Sequence, residues 1–148
     1  MNRHLTRLVL FMFCLPLSLA AERSYTTFNY PAGQSGGETL LTGLRGLKSD
    51  PAKVLMSGFY KYPGGSPVIS FMYKGRLATQ DGSFYILNYP SSPGMTVAET
   101  NLYGPNNGKN NTIQVVGNYT TVEAGTQAFG CLYQGPLDGT GSWRTLIP

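Results

Sequence analysis

The chain has 148 residues, with eleven Lys and Arg against seven Asp and Glu and a formal net charge of +4. Its basic residues are scattered along the sequence, which argues against a nucleic-acid stripe or an anionic-membrane anchor. With only 12% charged residues but 19 Gly, 10 Pro and 10 Tyr, the composition suits a turn-rich β protein better than a helical one.

The first element in chain order is a leader. Arg3 and Arg7 precede an apolar run over residues 8–21, which exits through Ser18-Leu19-Ala20, small residues at the two positions a signal peptidase reads. The run is shorter than the roughly 20 residues a membrane span requires, so no span is predicted. Bulky Met12 and Phe13 before Cys14 argue against lipidation. Residues 1–20 are thus expected to be a signal peptide and 21–148 a single all-β domain. Removal of the leader takes away the only histidine, His4, and Cys14, and leaves Cys131 as the sole cysteine. No intramolecular disulfide can then form, so the fold rests on its core despite an oxidising destination.

Period-two patterns bounded by turn residues predict strands near 24–30, 39–44, 53–60, 67–74 and 83–89. Further strands follow near 97–103, 112–119, 127–134 and 142–147. Pro63-Gly64-Gly65, Asp81-Gly82, Pro93-Gly94, Pro105-Asn106-Asn107-Gly108 and Asp138-Gly139 supply the turn chemistry between them. Gly58, Gly117 and Gly130 fall inside strand patterns and are expected at bulges or close backbone approaches.

The second half repeats the first. Asn29-Tyr30-Pro31 returns as Asn88-Tyr89-Pro90, and Gly58-Phe59-Tyr60 as Gly117-Asn118-Tyr119, both at an offset of 59. Tyr73-Lys74-Gly75 returns as Tyr133-Gln134-Gly135 at 60, and Gly82-Ser83-Phe84 as Gly141-Ser142-Trp143 at 59. A serine–aromatic block occurs three times, at Ser24-Tyr25, Ser83-Phe84 and Ser142-Trp143. The domain therefore reads as one N-terminal strand followed by two four-stranded repeats, about 29–87 and 88–148. Two architectures fit: propeller-like blades, or a closed meander barrel or sandwich. The long exact period favours blades.

Val115-Val116-Gly117-Asn118-Tyr119, Phe129-Gly130-Cys131-Leu132-Tyr133 and Gly141-Ser142-Trp143 resemble the extracellular HAF repeats, which run as "IVGxY", a turn, "GFLY", a glycine turn and "FTTIDYPG". Residues 25–31 and 84–90 resemble the last of these elements. The resemblance implies β-propeller-like repeats and no settled activity. A propeller normally needs at least four blades, and this chain has two units. A homo-oligomer follows as the expectation, a trimer with six blades or a tetramer with eight.

Catalysis finds little support in the residues. A mature chain without histidine has no Ser-His-Asp or Cys-His arrangement and no histidine zinc site, so no catalytic residue, metal or cofactor is predicted. Cys131 lies in an apolar strand with no basic neighbour in sequence, the setting of an inert buried thiol. Asp81 and Asp138 each precede a turn glycine, where a carboxylate caps local backbone. Six aromatics recur at matched positions, Tyr60 with Tyr119, Tyr73 with Tyr133 and Phe84 with Trp143. Such rings either stack on the apolar faces of sugars or fill the core of each repeat. The expectation is an exported, non-catalytic binding or adhesion module with glycans as the ligand class, secreted or periplasmic and bacterial. The alternatives are a structural envelope or matrix protein and a carboxylate-dependent glycan hydrolase.

Overall fold

A computed structural model of the chain describes residues 27–31, 36–65, 67–107 and 112–146. The predicted leader, residues 24–26 of the first predicted strand and the polar tip at 108–111 lie outside the described residues.

Alternating side chains and glycine-bearing turns fold the first repeat into an antiparallel meander of β1 (Glu38–Leu47), β2 (Asp50–Lys61), β3 (Val68–Gly75) and β4 (Ser83–Ile86). The second repeat forms β5 (Val97–Asn107), β6 (Ile113–Thr121), β7 (Ala128–Gly135) and β8 (Ser142–Leu146) in the same order. Each strand pairs only with its chain neighbours, and the two four-stranded sheets are not closed into a barrel. The closed-barrel alternative is thereby set aside. No helix occurs among the described residues.

Two differences from the sequence reading have local causes. The strand predicted over 83–89 stops at Ile86, because Leu87 leaves the sheet edge and enters the core between the sheets, where it is 1% exposed. The turn predicted at Pro105-Asn106-Asn107 is instead a continuation of β5 past an irregularity between Tyr103 and Asn106. Gly104 there has φ +58°, a left-handed conformation that a glycine adopts without penalty, and an edge strand tolerates the missing donor of Pro105.

The sheets stack through unlike faces. From the first sheet come Leu55 and Met72; from the second come Leu102, Ile113, Val115 and Tyr133, all buried in one cluster with Leu47 and Leu87. The register puts Leu55 beside Lys74 and Ser57 beside Met72, so this face is the one opposite Tyr60 and Tyr73. In the second sheet the equivalent of that opposite face, bearing Val115 and Tyr133, is the one turned inward. Two hydroxyls cross the junction: Thr42 donates to the Leu102 carbonyl, and Ser70 to the Thr100 carbonyl. A Cβ at Gly43 would stand only 2.5 Å from the backbone nitrogen of Gly104, so β1 and β5 approach this closely only with glycine there.

The outer face of the first sheet carries a second cluster of Tyr60 and Phe71, covered by Tyr30. Residues 27–31 have no strand pairing and reach this face through Phe28 and Tyr30. The Tyr30 amide donates to Thr39 Oγ1 at 3.1 Å, and the Tyr89 amide donates to Thr100 Oγ1 at 2.9 Å. Both repeats therefore anchor the incoming segment to their first strand by the same bond.

Candidate functional site

The six recurring aromatics form two equivalent clusters, one on each sheet. Tyr60, Tyr73, Tyr119 and Tyr133 are buried, and Phe84 and Trp143 are half-buried. Tyr30 stacks on Tyr60 at 5.5 Å and meets Phe84 edge-on; Tyr89 stacks on Tyr119 at 3.9 Å and meets Trp143 in the same edge-on manner. Each of the six rings has its centroid within 5.5 Å of another ring of its cluster. Their arrangement supplies packing energy, since such pairs add about 0.5–1.5 kcal/mol beyond burial.

Two of the six also clamp a turn. The Tyr73 hydroxyl donates to the Arg76 carbonyl at 2.7 Å and accepts from the Gly82 amide at 3.1 Å. The Tyr133 hydroxyl repeats this with the Pro136 carbonyl at 2.5 Å and the Gly141 amide at 2.9 Å. Gly75 against Gly82 and Gly135 against Gly141 leave no room for a Cβ beneath the hydroxyl, so the glycine pair and the tyrosine form one unit.

The two carboxylates that precede turn glycines are engaged in those turns. Asp138 Oδ1 accepts from the Thr140 amide at 3.0 Å and its hydroxyl at 2.7 Å, and Asp81 Oδ1 accepts from the Arg76 amide at 3.3 Å. Those backbone bonds, chiefly, hold both carboxyls below their usual range. Cys131 is fully buried, and desolvation pushes its thiol up to about 11, the reverse of nucleophile activation. Among the described residues no group of three or more His, Cys, Asp or Glu is placed to hold a metal ion.

A different constellation, invisible to sequence spacing, lies at one end of the junction between the sheets. Pairing sets Arg45 beside Leu55 and Leu55 beside Lys74, a row across β1, β2 and β3 on the inward face. Lys48 follows in the turn after β1, and the second sheet closes the other side with Asn107, Thr112 and Ile113. The cleft so formed has a volume of about 360 Å³, with three cations, amide and hydroxyl groups, and an apolar floor that includes Leu55, Ile113 and Leu137. None of its lining residues is acidic. Among the described residues the one ion pair is Lys53 with Asp50 at 3.5 Å, which leaves Arg45, Lys48 and Lys74 without a carboxylate partner. Three of the eleven basic residues are thus brought together here, Arg45 and Lys74 by strand register and Lys48 by the turn after β1.

The chain matches no protein-family model, no curated protein and no solved structure.

Proposed function

We propose that this protein is an exported, non-catalytic binding or adhesion module of the HAF-repeat type, whose ligands are glycans bearing carboxylate or sulfate groups. The observation that carries this reading is the cleft between the sheets, where three cations face no acid and an apolar floor lies beside Asn107 and Thr112. Small-ligand sites have this make-up: concave, partly apolar, with a few convergent polar groups that fix orientation. An arginine beside a lysine suits a carboxylate or sulfate, the arginine by a planar fork and the lysine by a mobile point charge.

An array of neutral, uronate, sialylated and sulfated glycans tests it. Saturable binding confined to the acidic members is expected, with loss of at least tenfold in affinity for Arg45→Gln with Lys74→Gln, about 1.4 kcal/mol. Binding to neutral sugars that survives the double substitution would move the ligand elsewhere on the molecule. Silence across the array supports the second reading, a structural envelope or matrix protein. That reading draws on the aromatic clusters, whose rings are committed to each other. The hydrolase reading is disfavoured by chemistry. A glycosidase needs one carboxyl held protonated near neutrality, and Asp81 and Asp138 are both shifted the other way.

A further inference from the structure

The sheet-to-sheet junction is heterologous: one face of the first sheet meets the other face of the second. Because the sheets are repeats, each possesses both kinds of face. One of each is consumed inside the chain, and one of each remains open among the described residues.

The open faces expose apolar side chains at the positions that the closed junction buries. Leu102 faces Gly117 across β5 and β6 and is fully buried in the junction; its repeat Leu41 faces Gly58 in the same way and is 47% exposed. Three residues further on, Pro105 is buried, and Leu44 at the matching place is 58% exposed. On the complementary side, Leu87 is 1% exposed and its repeat Leu146 is 42% exposed. Ser57 is fully buried, and its repeat is Val116, apolar and 47% exposed. Gly43 presses against β5, while around Gly104 a Cβ would meet open space.

The segment over the open face of the first sheet does not obstruct such a contact. Phe28 and Tyr30 sit there as Leu87 and Tyr89 sit on the second sheet, anchored by the same amide-to-threonine bond, and at that place the two sheets stack with the segment present.

We infer that a second copy of this chain is the occupant. The open face of its β5–β8 sheet docks on the open β1–β4 face of the next copy and continues the internal junction from chain to chain. A heterologous contact of this kind closes into a ring when its rotation allows. Three or four chains supply six or eight sheets, within the range of ring-shaped β folds.

Light scattering on the exported protein at micromolar concentration decides the matter. The wild type is expected at about three or four times the mass of one chain. Leu44→Glu disables one face and Val116→Glu the other, so each variant alone should fall to one chain. An equimolar mixture of the two should give a species of two chains, because one intact pair of unlike faces remains. A monomeric wild type overturns the inference. So do variants that retain the wild-type mass, or a variant that pairs with itself. Both sites are exposed, so circular-dichroism melting should be unchanged; if either variant unfolds, Leu44→Gln and Val116→Gln replace them. Neither residue lines the cationic cleft, so glycan binding by the monomeric variants keeps this question separate from that of the ligand.

Discussion

Tyr73 and Tyr133 each have a hydroxyl that satisfies one turn carbonyl and one turn amide. Phe in place of either keeps the ring and orphans two backbone groups, so each substitution should cost about 1–3 kcal/mol by denaturant titration. The loss should be similar at the two sites, since the geometry repeats. Cys131 gives a reactivity prediction. With its thiol at about 11 and no exposed surface, it should resist thiol reagents at pH 8 and react stoichiometrically only in denaturant. For Asp81, Asp138 and Glu123 the folded-state carboxyls lie below their unfolded values, first through backbone hydrogen bonds. The unfolded chain therefore takes up protons first as pH falls. The stabilisation is complete above about pH 5 and is lost on acidification through the folded values. Melting temperature should accordingly drop below about pH 4, and Asp138→Asn should flatten that part of the profile. Much of this scale was legible in advance: Asp before a turn glycine predicted a cap, and an apolar strand predicted a silent thiol. The tyrosine clamp was not, because it joins a strand residue to a turn eight or nine positions later and leaves no periodic trace.

At the scale of elements, each sheet holds its last strand partly through one aromatic. Phe84 touches Phe28, Tyr30, Phe71 and Tyr73, and Trp143 touches Tyr89 and Tyr133. Phe84→Ala and Trp143→Ala should each cost about 3 kcal/mol, the low end for large-to-small changes because both rings are half-buried. Loss of glycan binding with an unchanged melting temperature would instead assign these rings to a ligand platform. The eight paired strands were readable from alternation and turn residues to within a few positions. Gly58 and Gly117 were also readable as close approaches, each lying against a carbonyl of the edge strand beside it. The bulge at Gly104 was read as a turn, because Pro-Asn-Asn-Gly is turn chemistry and only the pairing of Asn106 with Gln114 reveals that the strand resumes. Residues 27–30, the described part of the strand predicted over 24–30, read as strand for the opposite reason: they copy residues 86–89, whose sequence repeats more faithfully than their sheet pairing.

For the whole molecule, the offset of 59 foretold two like sheets but not which faces would meet. That choice depends on differences between the repeats, such as Ser57 against Val116, which an alignment of matched blocks passes over. The cleft was hidden for a related reason. Arg45 and Lys48, close in sequence, meet Lys74 only through the pairing of β1 with β2 and of β2 with β3, and the repeat does not keep the set, since Arg45 matches Asn106 and Lys74 matches Gln134. Those three charges should give glycan binding a marked salt dependence: affinity should fall as ionic strength rises from about 0.05 to 0.3 M, since screening shortens the Debye length. Salt-independent binding would remove the cleft from consideration.

The meander order has a temporal side. The widest strand pairing joins Val97 to Thr121, 24 positions apart, whereas the junction contact from Thr42 to Leu102 spans 60. Short closures carry little entropic cost, so the first sheet can assemble as soon as Ile86 is available. At a synthesis rate of about 5–20 residues per second, its partner arrives roughly 3–12 s later. For those seconds Leu55 and Met72, both buried in the finished molecule, face water on a nascent chain. In residues 21–148 made without the predicted leader, slowing synthesis of the second repeat should lengthen that interval and raise the aggregated fraction, while the same pause placed within β1 should leave it unchanged.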